Sequence, residues 1–179
     1  MTTPSPALPP YARHIRHAGS RFRLWWLDKV LRLVIKRSFR FDAEIPVLRD
    51  KQAALDLKLT KIDPDMHAQA VDCNGTPAEW ITVPGSRNDK VVFYIHGGAW
   101  MFKFPRLHHA MVASWCRRLK ARALMVDYRL APEHRFPAGI SDVWSAWQWL
   151  IDQGIPSGDV IIAGDSAGGN LTLALLHRI

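Results

Sequence analysis

The sequence predicts an α/β fold, a doubly wound and mostly parallel sheet with helices on both faces. Three short apolar runs, at residues 91–95, 123–127 and 159–163, are typical of strands buried on both faces. Each of these runs is followed along the chain by a segment with helical spacing of apolar residues, at residues 107–120, 139–153 and 167–178. Strands that alternate with helices of this length form βαβ units, which build a parallel sheet.

The part of the chain before these units is less regular. Residues 79–83 predict a further strand, whereas residues 42–77 are mixed and indicate a connection with one short helix. The Pro-rich start predicts a disordered lead-in. We therefore divide the chain into a lead-in at 1–12, an N-terminal helical cap or lid region with its connection at 13–77, and the main domain at 78–179.

The positive charge of the chain is confined to its N-terminal segment. The formal net charge is +8, from 24 basic and 16 acidic residues. Residues 1–40 hold nine of the basic residues and one of the acidic ones, so the remainder of the chain holds 15 of each. The sequence after residue 40 therefore shows no basic patch, and it contains no recognisable nucleic-acid-binding motif. We expect no nucleic-acid partner.

Residues 21–40 predict an amphipathic helix, for which two interpretations stay open. One arc of the helix is basic, and the broader remainder is apolar and contains Phe22 and Trp26. Such a helix can make weak contact with an anionic membrane surface. It can also pack on the protein as part of a lid, and the width of the apolar arc favours the lid.

Cysteine content and the N-terminus indicate a cytoplasmic protein without disulfides. Cys73 and Cys116 are the only cysteines, and a single pair is a poor disulfide framework. The first twelve residues lack the basic start and apolar run of a signal peptide. We expect both thiols to be reduced, with Cys116 in the core.

The strongest candidate for chemistry is the string Gly164-Asp165-Ser166-Ala167-Gly168, which fits the pattern G-x-S-x-G. An apolar strand leads into it and a helix follows. A sharp strand–helix turn of this kind lifts a serine above the sheet edge as a nucleophile, and small neighbours make room for it. The alternative without catalysis is a Gly-rich strand–helix turn in which the serine only caps the helix N-terminus.

A second motif, His96-Gly97-Gly98-Ala99, directly follows another predicted strand. Glycines at this position let the backbone approach a ligand closely. Backbone N–H groups here, together with that of Ala167, are expected to form an oxyanion hole. Ala99 stands where such loops usually have a third glycine, so its methyl group narrows the acyl side of the site.

The two motifs, with DYRLAPEHRFPA at residues 127–138 between them, resemble the hormone-sensitive-lipase-like esterases, bacterial family IV of the α/β-hydrolases. The resemblance is strong over residues 79–179, and the N-terminal helices are similar to that family's cap. It implies an α/β-hydrolase fold and a carboxylesterase of short- to medium-chain acyl esters, with no metal or organic cofactor. It implies Ser166 as nucleophile, an oxyanion hole of Gly97, Gly98, Ala99 and Ala167, supporting roles for His96, Asp165, Gly164 and Gly168, and a structural loop carrying Arg129 and Glu133.

The other two members of a catalytic triad are not found. In this fold the order is Ser, then Asp or Glu, then His. Only thirteen residues follow Ser166, and they contain no acid and one histidine, His177, which lies about 16 Å along the helix. We expect the triad acid and base to lie outside this chain, which would then be the N-terminal part of a hydrolase, truncated after the elbow helix. His108 and His109 open a helix and are expected to be solvated.

Three alternatives to a carboxylesterase stay open. The same scaffold can carry a non-catalytic protein that binds a small molecule. The chain can also be an inactive remnant, because it lacks two triad members. An amide hydrolase would use the same nucleophile chemistry. The physiological substrate and the oligomeric state are open as well.

Overall fold

A computed structural model describes residues 21–38 and 44–179 of the chain. The chain divides into two compact units, Met1–Ala43 and Glu44–Ile179. In the first unit the predicted amphipathic helix is present as α1 (Arg21–Ser38). The lead-in predicted for residues 1–12 lies outside the described residues.

The second unit is a five-stranded sheet with helices on both faces. In chain order its elements are α2 (Ile45–Leu59), β1 (His67–Cys73), β2 (Thr76–Thr82), β3 (Arg87–Ile95), α3 (Pro105–Leu119), β4 (Ala121–Val126), α4 (Ala138–Asp152), a 3-10 turn (Ser157–Asp159), β5 (Val160–Gly164) and α5 (Ala167–Arg178). The strand order is β1-β2-β4-β3-β5. The helices and strands predicted from residue 79 onward are all present.

The sheet is mixed, with a parallel half and an antiparallel half. β3 lies at the centre of the parallel half and pairs in parallel with β4 on one side and β5 on the other. β2 pairs antiparallel with β4 and with β1. The predicted parallel βαβ units are therefore correct, and an antiparallel hairpin extends the sheet at one edge.

Two hydrophobic layers cover the two faces of the sheet. Phe93 and Leu124 point to the face covered by α4 and α5, where Val143, Trp147 and Leu175 complete the layer. The alternate residues of the same strands point to α3, in a second layer that contains Ile81, Val92, Tyr94, Val112, Ala123 and Cys116. Because both faces are covered, β3 is an unbroken apolar run from Val91 to Ile95, as expected for a central parallel strand.

The prediction for the segment before residue 78 was wrong in two respects. The sheet begins at His67, with β1, and not at the strand predicted for residues 79–83. Its turn, Asn74-Gly75, has positive φ angles of 56° and 84°, as a tight two-residue hairpin requires. The segment also holds α2, fifteen residues long instead of one short helix.

None of the helices in the described part of the chain combines the length and the apolar character that a membrane crossing requires.

Candidate active site

Ser166 lies at the junction of β5 and α5, in an unusual backbone conformation. Its φ and ψ angles are 50° and −118°, a region that L-residues rarely occupy, and its side chain is exposed. Such strain persists only where the surroundings impose it, and it is typical of functional sites. The serine makes no side-chain capping bond to α5, so its hydroxyl is not used as an ordinary N-cap.

The glycines around Ser166 are required by close packing. A Cβ on Gly164 would lie 2.5 Å from the Gly168 carbonyl oxygen, and a Cβ on Gly168 would lie 2.0 Å from the Ile95 carbonyl oxygen. The first turn of α5 therefore sits directly against the ends of β5 and β3. This packing brings the turn with Ser166 next to the loop that follows β3.

The loop after β3 has three consecutive carbonyl groups that are each hydrogen-bonded. The His96 carbonyl accepts from the Tyr128 hydroxyl at 2.9 Å, and the Gly97 carbonyl accepts from the His96 ring at Nδ1, 2.8 Å away. The Gly98 carbonyl accepts from the N–H groups of Met101 and Phe102. In a trans peptide the N–H points opposite to the C=O, so fixing these carbonyls also fixes the N–H groups that follow them.

Gly97 was predicted to donate to the oxyanion, and here the prediction is corrected. Its N–H already donates to Asp165 Oδ1 at 2.8 Å. Within residues 44–179, no hydrogen bond to another protein group takes the N–H of Gly98, Ala99 or Ala167. The backbone N–H groups available as donors at this edge of the sheet are therefore those of Gly98, Ala99 and Ala167. The Gly97 N–H has a structural role, because it binds Asp165.

The conformation of this loop depends on left-handed backbone at Gly98 and Ala99. Gly98 has φ 130°, and a Cβ there would lie 1.9 Å from the Phe102 carbonyl oxygen. Ala99 follows with φ 54°, where glycine would be free of strain. The alanine methyl is thus present in a turn that a glycine normally makes.

Asp165 connects the serine turn to this loop. Its Oδ1 atom accepts both the Gly97 N–H and the Tyr94 hydroxyl, the latter at 2.6 Å. A Cβ on Gly97 would lie 2.2 Å from Asp165 Oδ2, which explains why a glycine stands at this position. The carboxylate is thus held beneath the loop by two hydrogen bonds.

His108 is not solvated as predicted, because it is almost fully buried beneath the loop that follows β3. Its ring stacks on His96 with centroids 5.7 Å apart, and its Nε2 lies 3.9 Å from Asp165 Oδ1. Burial lowers the pKa of both imidazoles, so they are neutral at pH 7. His109, also predicted to be solvated, is largely covered and is hydrogen-bonded to Glu79 at 2.7 Å.

Comparison with known proteins supports the fold described above. A family model described as "alpha/beta hydrolase fold" matches residues 92–179. The chain has the α/β-hydrolase fold. An esterase from Acinetobacter venetianus is 30% identical over 161 residues, which are 90% of this chain and 52% of the relative. A carboxylesterase/phospholipase, LipF, from Mycobacterium tuberculosis is 38% identical over 57% of this chain and 28% of its own length.

Solved structures place this α/β-hydrolase chain near one group of esterases. An esterase from the bacterial hormone-sensitive lipase family aligns with a TM-score of 0.75 and 35% identity, over 85% of this chain and 51% of that one. EstE5, in a crystal soaked with p-nitrophenyl butyrate, aligns with a TM-score of 0.72 and 37% identity, over 87% and 51%. The predicted resemblance to hormone-sensitive-lipase-like carboxylesterases is thereby confirmed. The chain spans about half the length of the Acinetobacter esterase and of these solved structures, and it matches a smaller share of LipF.

Helix α2 of this α/β-hydrolase chain is fixed to the loops around the site. Arg49 donates to both carboxylate oxygens of Glu133 and to the carbonyl oxygens of Met101 and Ala131. The hydrogen bond from Arg49 is the main reason that the pKa of Glu133 falls to about 2. The loop with Glu133, which the resemblance implied to be structural, is thus tied to a helix that sequence reasoning had not placed.

The same loop is held at its start by an ion pair. Arg129 forms a bidentate bond with the buried carboxylate of Asp142 on α4, which also accepts the Arg129 N–H at 2.8 Å. Arg49, Tyr94 and Tyr128 are the contacts that sequence reasoning missed. The signal for Tyr128 was present, because it lies in the DYR string that carried the resemblance.

Proposed function

We propose that the protein containing this chain is a carboxylic ester hydrolase that acts on short- to medium-chain acyl esters, with Ser166 as its nucleophile. The observation that carries the proposal is the strained backbone of Ser166 close to the N–H groups of Gly98 and Ala99, which have no acceptor within residues 44–179. Its relatives named as esterases and carboxylesterases support the reaction class.

In the proposed mechanism, the Ser166 hydroxyl attacks the ester carbonyl while a histidine from outside this chain accepts its proton. Negative charge then develops on the carbonyl oxygen, and the N–H groups of Gly98, Ala99 and Ala167 stabilise it. Losing one such donor typically lowers the rate by about 10²–10³. The alcohol leaves, an acyl-enzyme remains, and water releases the acid.

An apolar cavity beside the site supports an ester with an apolar part. It has a volume of about 340 Å³ and is lined mainly by apolar groups, among them Trp100, Tyr128, Ile140, Leu171 and Ala174. The cavity adjoins both the loop after β3 and the first turns of α5. We propose that the methyl of Ala99 narrows the acyl side of the site, which favours acyl groups of modest size.

The first test is the chemistry of Ser166 in the complete protein. A fluorophosphonate should label the wild type, and Ser166→Ala should abolish both labelling and hydrolysis of p-nitrophenyl butyrate. Ser157→Ala, which changes an exposed serine in the 3-10 turn, is the matched control and should retain both. A wild type that is neither labelled nor active would support the alternatives, a non-catalytic binding protein or an inactive remnant. Rates on matched ester and anilide substrates separate an esterase from an amide hydrolase.

The role of α1 also stays a proposal, either as part of a lid or as a weak contact with a membrane surface. Eight large apolar side chains of α1 are each between 46% and 68% exposed, and Phe22, Trp25 and Trp26 form an aromatic cluster. With nine basic residues in the first 40, anionic lipid is the membrane surface that the helix suits. Sedimentation with anionic and with neutral vesicles tests this contact. A cytoplasmic location is proposed on the two free, buried cysteines alone.

A further inference from the structure

We propose that Tyr128 is a positioning residue for the oxyanion hole, acting together with Asp165 on the peptide between His96 and Gly97. The Tyr128 hydroxyl, the Asp165 carboxylate and this peptide are called the loop clamp below. The inference rests on the ester hydrolysis proposed above. Both side chains would act by orienting the backbone, without touching the reacting atoms.

The loop clamp holds one peptide by both of its polar atoms. The His96 carbonyl accepts from the Tyr128 hydroxyl at 2.9 Å, and the Gly97 N–H donates to Asp165 Oδ1 at 2.8 Å. These two atoms point in opposite directions from one rigid plane. Tyr128 follows β4 and Asp165 follows β5, the two strands that flank β3. The first peptide after β3 is thus held from both neighbouring strands.

The Tyr128 side of the clamp is rigid. Only 1% of Tyr128 is exposed, and its ring stacks on His96 with centroids 4.3 Å apart and planes 12° apart. The same His96 ring binds the Gly97 carbonyl, so Tyr128 supports the next peptide as well. Burial raises the pKa of the Tyr128 hydroxyl, which therefore remains a donor at every pH at which an ester hydrolase works.

The Asp165 side of the clamp is held in turn by Tyr94. The Tyr94 hydroxyl donates to Asp165 Oδ1 at 2.6 Å, and Tyr94 is fully buried between α3 and the sheet. Asp165 directly precedes Ser166 in the chain. One carboxylate therefore joins the residue before Ser166 to the loop that carries the proposed oxyanion donors.

A loosened clamp should affect the transition state more than the bound substrate. The peptides with the Gly98 and Ala99 N–H groups follow directly after the clamped one, so a tilt of that peptide redirects both donors. Bound substrate has no negative charge on this oxygen, and the charge develops only as the transition state and the tetrahedral intermediate form. A misplacement of about 1 Å can lower the rate by about 10²-fold. We expect Tyr128→Phe to lower kcat by about 10- to 100-fold and to change KM by less than about 3-fold.

The experiment compares Tyr128→Phe with Thr76→Val in the complete protein, with p-nitrophenyl butyrate as substrate. Thr76 is also buried, and its hydroxyl lies 3.4 Å from the Asp142 carbonyl oxygen, away from the loop. Thr76→Val therefore reports the cost of a lost buried hydroxyl alone and should retain kcat. A kcat of Tyr128→Phe within about 2-fold of the control would overturn the proposal.

Asp165 provides the test by conservative rescue. The side-chain oxygen of Asp165→Asn can still accept from Gly97 and Tyr94, whereas Asp165→Ala loses both bonds. We expect the asparagine variant to keep kcat within about 10-fold and the alanine variant to lose about 100-fold or more. Equal losses in the two variants would contradict a positioning role through these hydrogen bonds.

Hydrogen exchange separates the failure of the clamp from the failure of the proposed function. In wild type, exchange of the Gly97 amide should be slow, and in Tyr128→Phe it should be at least about 10-fold faster, whether or not the protein hydrolyses esters. Unchanged exchange would overturn the clamp. An inactive wild type with faster exchange in the variant would refute the ester hydrolysis and leave the clamp standing.

Discussion

Gly168 and Ile95 are in such close contact that no side chain fits between them. A Cβ on Gly168 would lie 2.0 Å from the Ile95 carbonyl oxygen and 2.6 Å from that of His96. This contact joins the first turn of α5 to the end of β3, and so it joins the serine turn to the loop with the oxyanion donors. The separation of the two halves of the site is therefore set by backbone packing.

Replacing Gly168 by alanine should separate these two segments. Overpacking against backbone atoms cannot be relieved by a rotamer change, so we expect Gly168→Ala to lower the free energy of unfolding by about 3 kcal/mol. Gly169→Ala is the matched control, because its Cβ would meet only the Gly164 carbonyl oxygen, at 3.3 Å. The control should stay within about 1 kcal/mol of wild type. Urea unfolding measures both, and equal stability of the two variants would contradict the packing described above.

The strain at Ser166 predicts a gain in stability when its Cβ is removed. A non-glycine residue at φ 50°, ψ −118° carries a strain of about 1–3 kcal/mol, which glycine would relieve. The greater conformational freedom of glycine in the unfolded chain offsets about 0.5–1 kcal/mol of this gain. Ser166→Gly should therefore raise the free energy of unfolding by about 1 kcal/mol, while Ser166→Ala, which keeps its Cβ, should leave it nearly unchanged. Thermal unfolding of the two variants tests this, and a destabilised glycine variant would argue against strain.

The buried imidazole of His108 predicts a loss of stability on mild acidification. Burial lowers its pKa in the folded state, and the groups facing it are Asp165, His96, Asp56 and His109. The unfolded chain, with an ordinary histidine pKa, binds more protons below about pH 6.5, so acid favours unfolding. The melting temperature should fall between pH 7.5 and pH 5.5.

Substitution of His108 tests the origin of this dependence on pH. His108→Gln should reduce the fall in melting temperature, because one of the two buried imidazoles that take up a proton on unfolding is gone. His177→Gln, at the exposed end of α5, should leave the fall unchanged. If both variants behave like wild type, another group causes the acid sensitivity.

The two cysteines should be unreactive in the folded protein. Burial raises the pKa of Cys73 to about 12 and that of Cys116 to about 11, and the thiolate is the reactive form. Iodoacetamide at pH 8 should therefore modify neither cysteine in the native state and both in urea, as counted by intact mass. Rapid alkylation of the native protein would indicate that one of the two core layers opens readily.

The tertiary structure decided the role of several residues whose types were visible in the sequence. The Asn74-Gly75 turn was a readable hairpin signal, yet β1 was missed because its side chains are mostly exposed and give no apolar run. His108 was expected in solvent. It is buried because α3 packs over the loop after β3, a contact that the local sequence does not show. Gly97 was expected to bind the oxyanion, and only the position of Asp165 shows that its N–H is already used.

The sequence by itself determined the order of the strands and helices from residue 79 onward and the turn that holds Ser166. These features depend on local patterns, namely apolar periodicity and small residues around a strand–helix junction. Only the tertiary structure decided which N–H groups are free, and that Tyr128 and Asp165 hold one peptide from two sides. These features depend on β4 and β5 flanking β3, and the pairing of strands distant in sequence is not encoded in any single segment.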